Sequence, residues 1–346
     1  MSTQTLKYLL PCLVGGLLLI CSLGFDNKAD DILFVVPQGW PKPVYDLSKN
    51  KVTEAGFKLG RKLFFDPVLS RDGSTSCASC HTQWSGFTHV DHSLSHGING
   101  LKGKRNSLTL FNLAWNTSFM WDGGVNNLEV QPLSPITNPV EMDNTLENIV
   151  KKLDTSQGYR VRFFLAFGDS AVTGQRVLKA IAQFTVMFES FNSKYDKYTR
   201  HEPGGEMTGQ ELNGLKLFRK NCESCHNEPL FTNNSFQNIG LAVDTELNDI
   251  GRMAITHDFH DSLRFKVPSL RNVVNSYPYM HDGRFKTLMQ VLDHYTDGVV
   301  QSPSLAKELR KPMILSPDDK KDIIAFLQTL TDKEFLFDMR FRDWRE

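Results

Sequence analysis

The residues with the clearest chemistry are Cys77-Ala78-Ser79-Cys80-His81 and Cys222-Glu223-Ser224-Cys225-His226, two copies of one Cys-x-x-Cys-His run. Two residues between the thiols let both reach the vinyl groups of one haem, and the adjacent His then lies under the iron. Two covalently bound haem c groups are expected, with His81 and His226 as axial ligands. The rival readings are a disulfide pairing and a zinc site from the two cysteine pairs. Ribbon-type zinc pairs, however, sit about 15 to 20 residues apart, far closer than Cys80 and Cys222. The other cysteines, Cys12 and Cys21, lie in the expected leader, so none remains for a disulfide framework in the mature chain.

The elements that must hold these groups are duplicated. Gly60-Arg61-Lys62-Leu63-Phe64 precedes the first run and Gly214-Leu215-Lys216-Leu217-Phe218 the second, each within a helical apolar pattern. A small Gly with Phe one turn later lets one helix approach another closely. An ordinary amphipathic helix could carry that spacing once, but its repetition before both haem motifs points to a shared design. Further on, Thr109-Leu110-Phe111-Asn112 and Met120-Trp121-Asp122-Gly123 run in register with Ser269-Leu270-Arg271-Asn272 and Met280-His281-Asp282-Gly283. The Asn-to-Trp and Asn-to-His intervals are equal, so Trp121 and His281 occupy equivalent places in two copies of one haem domain.

The segment after each copy should cover the open face of its haem, and here the copies differ. After Trp121 comes a proline-rich loop with Gln131, Pro132, Pro135, Pro139, Glu141 and Met142; after His281 comes an amphipathic stretch, Leu288 to Tyr295, ending in His294 and Tyr295. An amide and a carboxylate suit proton transfer to a bound small molecule, so the first haem reads as open. A helix presenting a phenol or imidazole can close the second. A lone loop Glu is more often simply solvated, and spacing alone does not decide Glu141.

A chain of 346 residues has room for two domains. Lys plus Arg and Asp plus Glu both number 39, which leaves no global field for nucleic acid or an anionic membrane. Lys7 precedes an apolar run from Tyr8 to Ile20, of the length expected for an export signal. Residues 1–25 read as that signal or a lipoprotein leader; lipidation at Cys21, soluble release and an uncleaved membrane anchor stay open. Residues 26–50, with Pro37, Pro41 and Pro43, read as a linker or extended arm. Haem domains are expected over 51–202 and 203–346, linked near His201 to Thr208, where Pro203-Gly204-Gly205 lies. Between the motifs, Arg160 to Phe167 and Val177 to Tyr198 read as helices, the second with core positions Ile181, Phe184, Met187, Phe188 and Phe191.

These stretches resemble the bacterial di-haem cytochrome c peroxidases. The match includes Leu59 to Phe64, Asp72-Gly73-Ser74, Arg105-Asn106, Trp121-Asp122-Gly123, Gln131, Glu141-Met142, Lys266-Val267-Pro268-Ser269-Leu270-Arg271-Asn272 and Pro278-Tyr279-Met280-His281-Asp282-Gly283, and it runs from about Val52 onward. The resemblance implies a mainly α fold of two cytochrome-c-like domains whose haems face a shared interface. It further implies that His81 ligates a peroxide-binding haem, Glu141 moves a proton from the iron-bound oxygen to the leaving one, Gln131 orients the peroxide, and Trp121 relays electrons between the haems. It also implies one Ca2+, held by Asn106, Ser276 and Pro278. The expected function is export to the periplasm and reduction of hydrogen peroxide with electrons from a small cytochrome c or cupredoxin. The alternatives are the related di-haem enzymes that mature methylamine dehydrogenase by oxidising a protein substrate, and a plain electron carrier. A homodimer stays open.

Three departures from the family pattern matter. Gly124 stands where members often carry Arg. Of His89, His92 and His96, His96 is nearest the place of a capping ligand, yet Ser95-His96-Gly97 fits better with members whose first haem is uncapped. Tyr295 stands where the second haem's ligating Met is expected, with His294 and Met289 as alternatives.

Overall fold

The computed structural model describes residues 31, 34–343 and 345; the expected leader, with Cys12 and Cys21, lies outside the described residues. Helices carry the chain: α1 (Glu54–Phe65), α2 (Leu133–Thr137), α3 (Leu146–Asp154), α4 (Gln157–Phe167), α5 (Gly174–Thr185), α6 (Lys194–Thr199), α7 (Gly209–Asn221), α8 (Met253–Thr256), α9 (Leu288–Asp293), α10 (Pro317–Gln328) and α11 (Lys333–Leu336). Long irregular segments join them, and two short strands, β1 (Phe236–Gln237) and β2 (Phe265–Lys266), pair antiparallel. The major helices begin on side-chain caps, Thr53 on α1, Thr173 on α5, Thr208 on α7 and Ser316 on α10. Each cap satisfies a backbone N–H that a helix start leaves unpaired.

Each half is built on one helix pair in close contact. A Cβ placed on Gly60 would stand 2.0 Å from the Ala180 carbonyl oxygen on α5, and one on Gly214 would stand 1.9 Å from the Asp322 carbonyl oxygen on α10. The next-nearest residues are Phe184 and Phe326, so the same interval recurs on both partner helices. Phe64 and Phe218 fill the space one turn beyond each glycine and are buried. The duplication read from the chain is thus a duplication of packing.

In the first half, Phe64, Phe87, Phe184, Phe188 and Phe341 form an aromatic core in which the Phe87 and Phe188 rings stack at 3.8 Å. A neighbouring core joins Leu59 and Leu63 of α1 to Ile149, Phe163, Val177 and Ile181. The second half gathers Leu215, Phe218, Phe231, Phe326 and Leu330, together with Tyr195 of α6. The chain end crosses back, since Phe335, Leu336 and Phe341 pack into the first aromatic core. The proline-marked stretch is also packed: Trp115 donates from Nε1 to the Pro41 carbonyl at 2.7 Å, and Trp40 meets the Trp115 ring at 5.0 Å.

The expected helix over Val177 to Tyr198 is broken. It ends at Thr185 and resumes at Lys194 as α6, because the intervening backbone is captured from outside. The Asn112 amide donates to the Ser190 carbonyl and accepts from the Ser190 N–H, each at 2.9 Å. Asn272 donates to the Ser190 hydroxyl at 2.9 Å and accepts from the Asp332 N–H at 2.8 Å. These are side-chain alternatives to the helical ladder, and apolar periodicity cannot register them.

Gly214→Ala is expected to lower stability by about 1–3 kcal/mol through overpacking, although alanine is the better helix former. Denaturant unfolding of the haem-loaded protein checks this. An unchanged or raised midpoint would contradict the close approach of α7 and α10.

Candidate haem sites and the wall between them

Cys77 opens a single tight turn that presents Cys80 and then His81. His81 points Nδ1 at the Phe87 carbonyl oxygen, 2.5 Å away, and His226 points Nδ1 at the carbonyls of Phe231 (3.1 Å) and Pro268 (3.2 Å). A carbonyl only accepts, so Nδ1 carries the proton in both rings and Nε2 keeps its lone pair for a metal. Burial drives both imidazoles down to about 4, which keeps them neutral ligands. The accepting residues Phe87 and Phe231 both have positive φ, 58° and 54°, an uncommon conformation for a bulky residue. Both copies therefore strain a phenylalanine to aim its carbonyl at the histidine.

The four cysteines are free thiols. Burial pushes Cys77 and Cys222 up to about 12, and burial with the nearby Glu141 charge lifts Cys80 to about 11. Among the described residues no group of three or more His, Cys, Asp or Glu is arranged to hold a metal ion.

Beside the first motif, Glu141 lies in the turn after α2. The short helix α2 itself occupies part of the stretch read as a proline-rich loop, because Pro132 fits a helix start. Burial raises the Glu141 carboxyl, and the Asn138 amide, donating to Oε1 at 2.7 Å, partly opposes this. The Glu141 backbone is locked from the other side: the Ile98 N–H donates to its carbonyl at 2.8 Å, and a Cβ on Gly97 would stand 2.2 Å from the Val140 carbonyl. His96 offers Cys80 its carbonyl, 3.5 Å from the thiol, while its ring packs edge-on to His92 at 4.1 Å. His89 is buried. Gln131 reaches toward the Met120 sulfur at 3.9 Å.

Beside the second motif lies a cavity of ≈ 220 Å³ lined by Cys222, Cys225, His226 and Tyr295. From the covering stretch, Leu288, Val291, Leu292 and Tyr295 form the wall. The alternatives lie elsewhere, since His294 is bound through Nε2 to the Ile239 carbonyl at 2.9 Å and Met289 is not part of the lining. Tyr295 sits on a π-helical turn, His294–Gly298, that continues α9, a distortion common at functional positions. Burial, with the Cys222 and Cys225 charges, raises its phenol well above the usual range.

The first half completes this second cavity, because Asn106 and Trp121 are in its lining with Ser276, Pro278 and His281. Trp121 donates from Nε1 to the Asn106 carbonyl at 2.8 Å. The Asn106 amide lies 2.6 Å from the Pro278 carbonyl, and its Oδ1 is buried without a hydrogen-bond partner among the described residues. An orphaned amide oxygen among backbone carbonyls is a donor set that fits an oxygen-seeking cation.

Two features escaped the sequence reading. Asp282 is paired with Arg284, but its equivalent Asp122, followed by Gly124, is paired with Arg105, which also grips Asp249 at 2.6 and 2.8 Å. The unmatched aspartate was a signal, though the compensating arginine could not be identified without the fold. Lys266, present only as part of a matching stretch, is buried and lines the second cavity.

Comparison with known proteins agrees with this geometry. Residues 54–204 match the family described as di-haem cytochrome c peroxidase, and residues 211–331 match cytochrome c. The methylamine utilization protein MauG of Methylorubrum extorquens is 37% identical over 300 residues, covering 85% of this chain and 82% of the relative. The cytochrome c551 peroxidase of Nitrosomonas europaea is 38% identical over 278 residues, 79% of each chain. A crystal structure of a MauG-like protein associated with microbial copper homeostasis superposes with a TM-score of 0.79 at 30% identity, covering 91% of this chain and 100% of that one. With two strained histidine cradles, two Cys-x-x-Cys-His motifs and relatives this similar along most of its length, the chain belongs to the di-haem cytochrome c peroxidase and MauG family.

Proposed function

We propose that the chain is an exported di-haem peroxidase that reduces hydrogen peroxide to water, drawing electrons through its second haem from a small cytochrome c or cupredoxin in the periplasm. The observation that carries this reading is the Glu141 carboxyl, half-buried near Cys80 with its pKa raised. A plain electron carrier gains nothing from such a group. Bound haem supplies the redox chemistry of peroxide cleavage. Glu141 Oε1 is committed to Asn138, so Oε2 is the atom that accepts a proton from the proximal peroxide oxygen and returns it to the leaving oxygen. The Gln131 amide hydrogen-bonds the peroxide and fixes its orientation, and Trp121, in the wall between the sites, relays electrons.

Asn106 Oδ1 and the carbonyls of Ser276 and Pro278, completed by water, would hold one Ca2+; bound there, it would supply fixed positive charge. His226 and Tyr295 would hold the iron of the second haem. This assignment favours a second reading: phenolate stabilises the higher iron oxidation states, whereas a thioether raises the potential. A Tyr-ligated haem better stores oxidising charge, as an enzyme that oxidises the side chains of a partner protein would require. Among the described residues no helix is long and apolar enough to cross a membrane.

Mixing the fully oxidised holoprotein with peroxide in a stopped-flow spectrometer is expected to give a rapid spectral change without prior reduction. In Glu141→Gln both haems remain and that change slows by about 100-fold or more; an undiminished rate would overturn the role of Glu141. Tyr295→Phe is expected to open the second iron, so that cyanide titration takes up two equivalents per chain where the native protein takes one. Tyr295→Met should raise the second potential. If the Phe variant still takes one equivalent, Tyr295 is not the ligand and the cytochrome-oxidising reading gains.

A further inference from the structure

The lining of the second cavity includes a buried lysine, Lys266, whose charge no described residue neutralises. Lys266 is 6% exposed, and its Nζ lies 2.8 Å from the Asn234 side-chain oxygen and 3.3 Å from that of Asn116. Both partners are neutral amides. Among the described residues no carboxylate pairs with it, and burial alone draws the ammonium down to about 8. The other buried cations are treated differently: Lys320 is paired with Asp293 at 2.7 Å, and Arg271 with Asp196 at 2.7 and 2.8 Å. An ammonium held in the interior without a counter-charge is strongly unfavourable. Two amide oxygens satisfy two of its three N–H groups and none of its charge. A structural role in this place would need only a neutral donor.

The position of Lys266 identifies the missing anion. It is the one lysine or arginine in the cavity lining, and the lining carboxylate, Glu308, lies on the side of Cys225, whose thiol it raises. Cys222 and Cys225 arrive at the end of α7 and fix the vinyl edge of a haem; the propionates leave from the opposite edge. Lys266 stands in the wall shared with the first half, where its backbone N–H donates to the Trp121 carbonyl at 2.7 Å and its side chain meets Asn116. We propose that Lys266 Nζ is the counter-ion of a propionate of the second haem, oriented for it by Asn116 and Asn234. This rests on the reading that the cavity holds that haem. The lysine then joins the propionate edge of the second haem to the backbone of Trp121, and its charge holds that haem's potential up.

The test has two parts, both on haem-loaded protein. Pyridine haemochrome analysis first establishes two haems per chain; one haem would overturn the cavity assignment itself and leave the argument about Lys266 without a ligand. In a crystal structure of the native holoprotein, Nζ is then expected within hydrogen-bond distance of a propionate oxygen of the second haem. A propionate bound elsewhere overturns the proposal whatever the variants do. In spectroelectrochemical titration, Lys266→Gln is expected to lower the reduced-to-oxidised ratio of the second haem at fixed ambient potential by roughly tenfold, the effect of one buried unit charge about 10 Å away, while the first haem is unmoved. Lys266→Arg should stay within roughly twofold of native, since it keeps the charge. An unchanged second haem in the Gln variant, or equal shifts of both haems, would contradict the pairing.

Discussion

The two halves are held together at a fully buried serine. Ser190, 0% exposed, is gripped on its backbone by Asn112, and on its hydroxyl it accepts from Asn272 and donates to Asp332 at 3.2 Å. Asn112 and Asn272 are equivalent residues of the two copies, so the duplicated motifs meet at a single point. Every member of the cluster is buried, where a polar group left unpaired is costly. The cluster therefore sets the relative placement of the halves more sharply than apolar contact could. From it the chain runs out in both directions to the pieces each half lends the other, with the Asn106 N–H bound to the His281 carbonyl and the Lys266 N–H to the Trp121 carbonyl, both at 2.7 Å.

On this scaffold the two cofactor sites share their proximal chemistry and differ on the facing side. Both histidines are oriented by the carbonyl of a strained phenylalanine. In the first half, the facing segment presents a carboxyl whose pKa burial raises, and a loop pinned at Gly97 holds its backbone still. In the second, α9 ends in a π turn that directs a phenol into the cavity. Divergence of one short segment after the duplication is what makes the two sites unlike. Trp121, from the first half, stands in the wall of the second cavity.

Much of this was legible in the chain. Cys-x-x-Cys-His declares its chemistry through spacing, and the paired glycines of α1 and α7 were readable because the same small residue preceded both motifs. The equal intervals to Trp121 and His281 placed the copies in register. The break after Thr185 was not legible, because the groups that capture the chain come from Asn112 and Asn272, distant in sequence. Arg105 was hidden for the same reason: its partners are Asp122 and Asp249, and nothing local marks it as the substitute for the arginine missing at Gly124. Lys266 lay within a recognised stretch, but its lack of a counter-charge is a property of the folded interior alone.

The central claim is that one scaffold carries two unlike cofactor sites, the first open beside Glu141 and the second closed by Tyr295. Electron paramagnetic resonance of the fully oxidised holoprotein tests it most directly. The account predicts one high-spin and one low-spin ferric signal of equal weight, with azide altering only the high-spin one. Two low-spin signals in the resting protein, or two high-spin signals that both respond to azide, would contradict it.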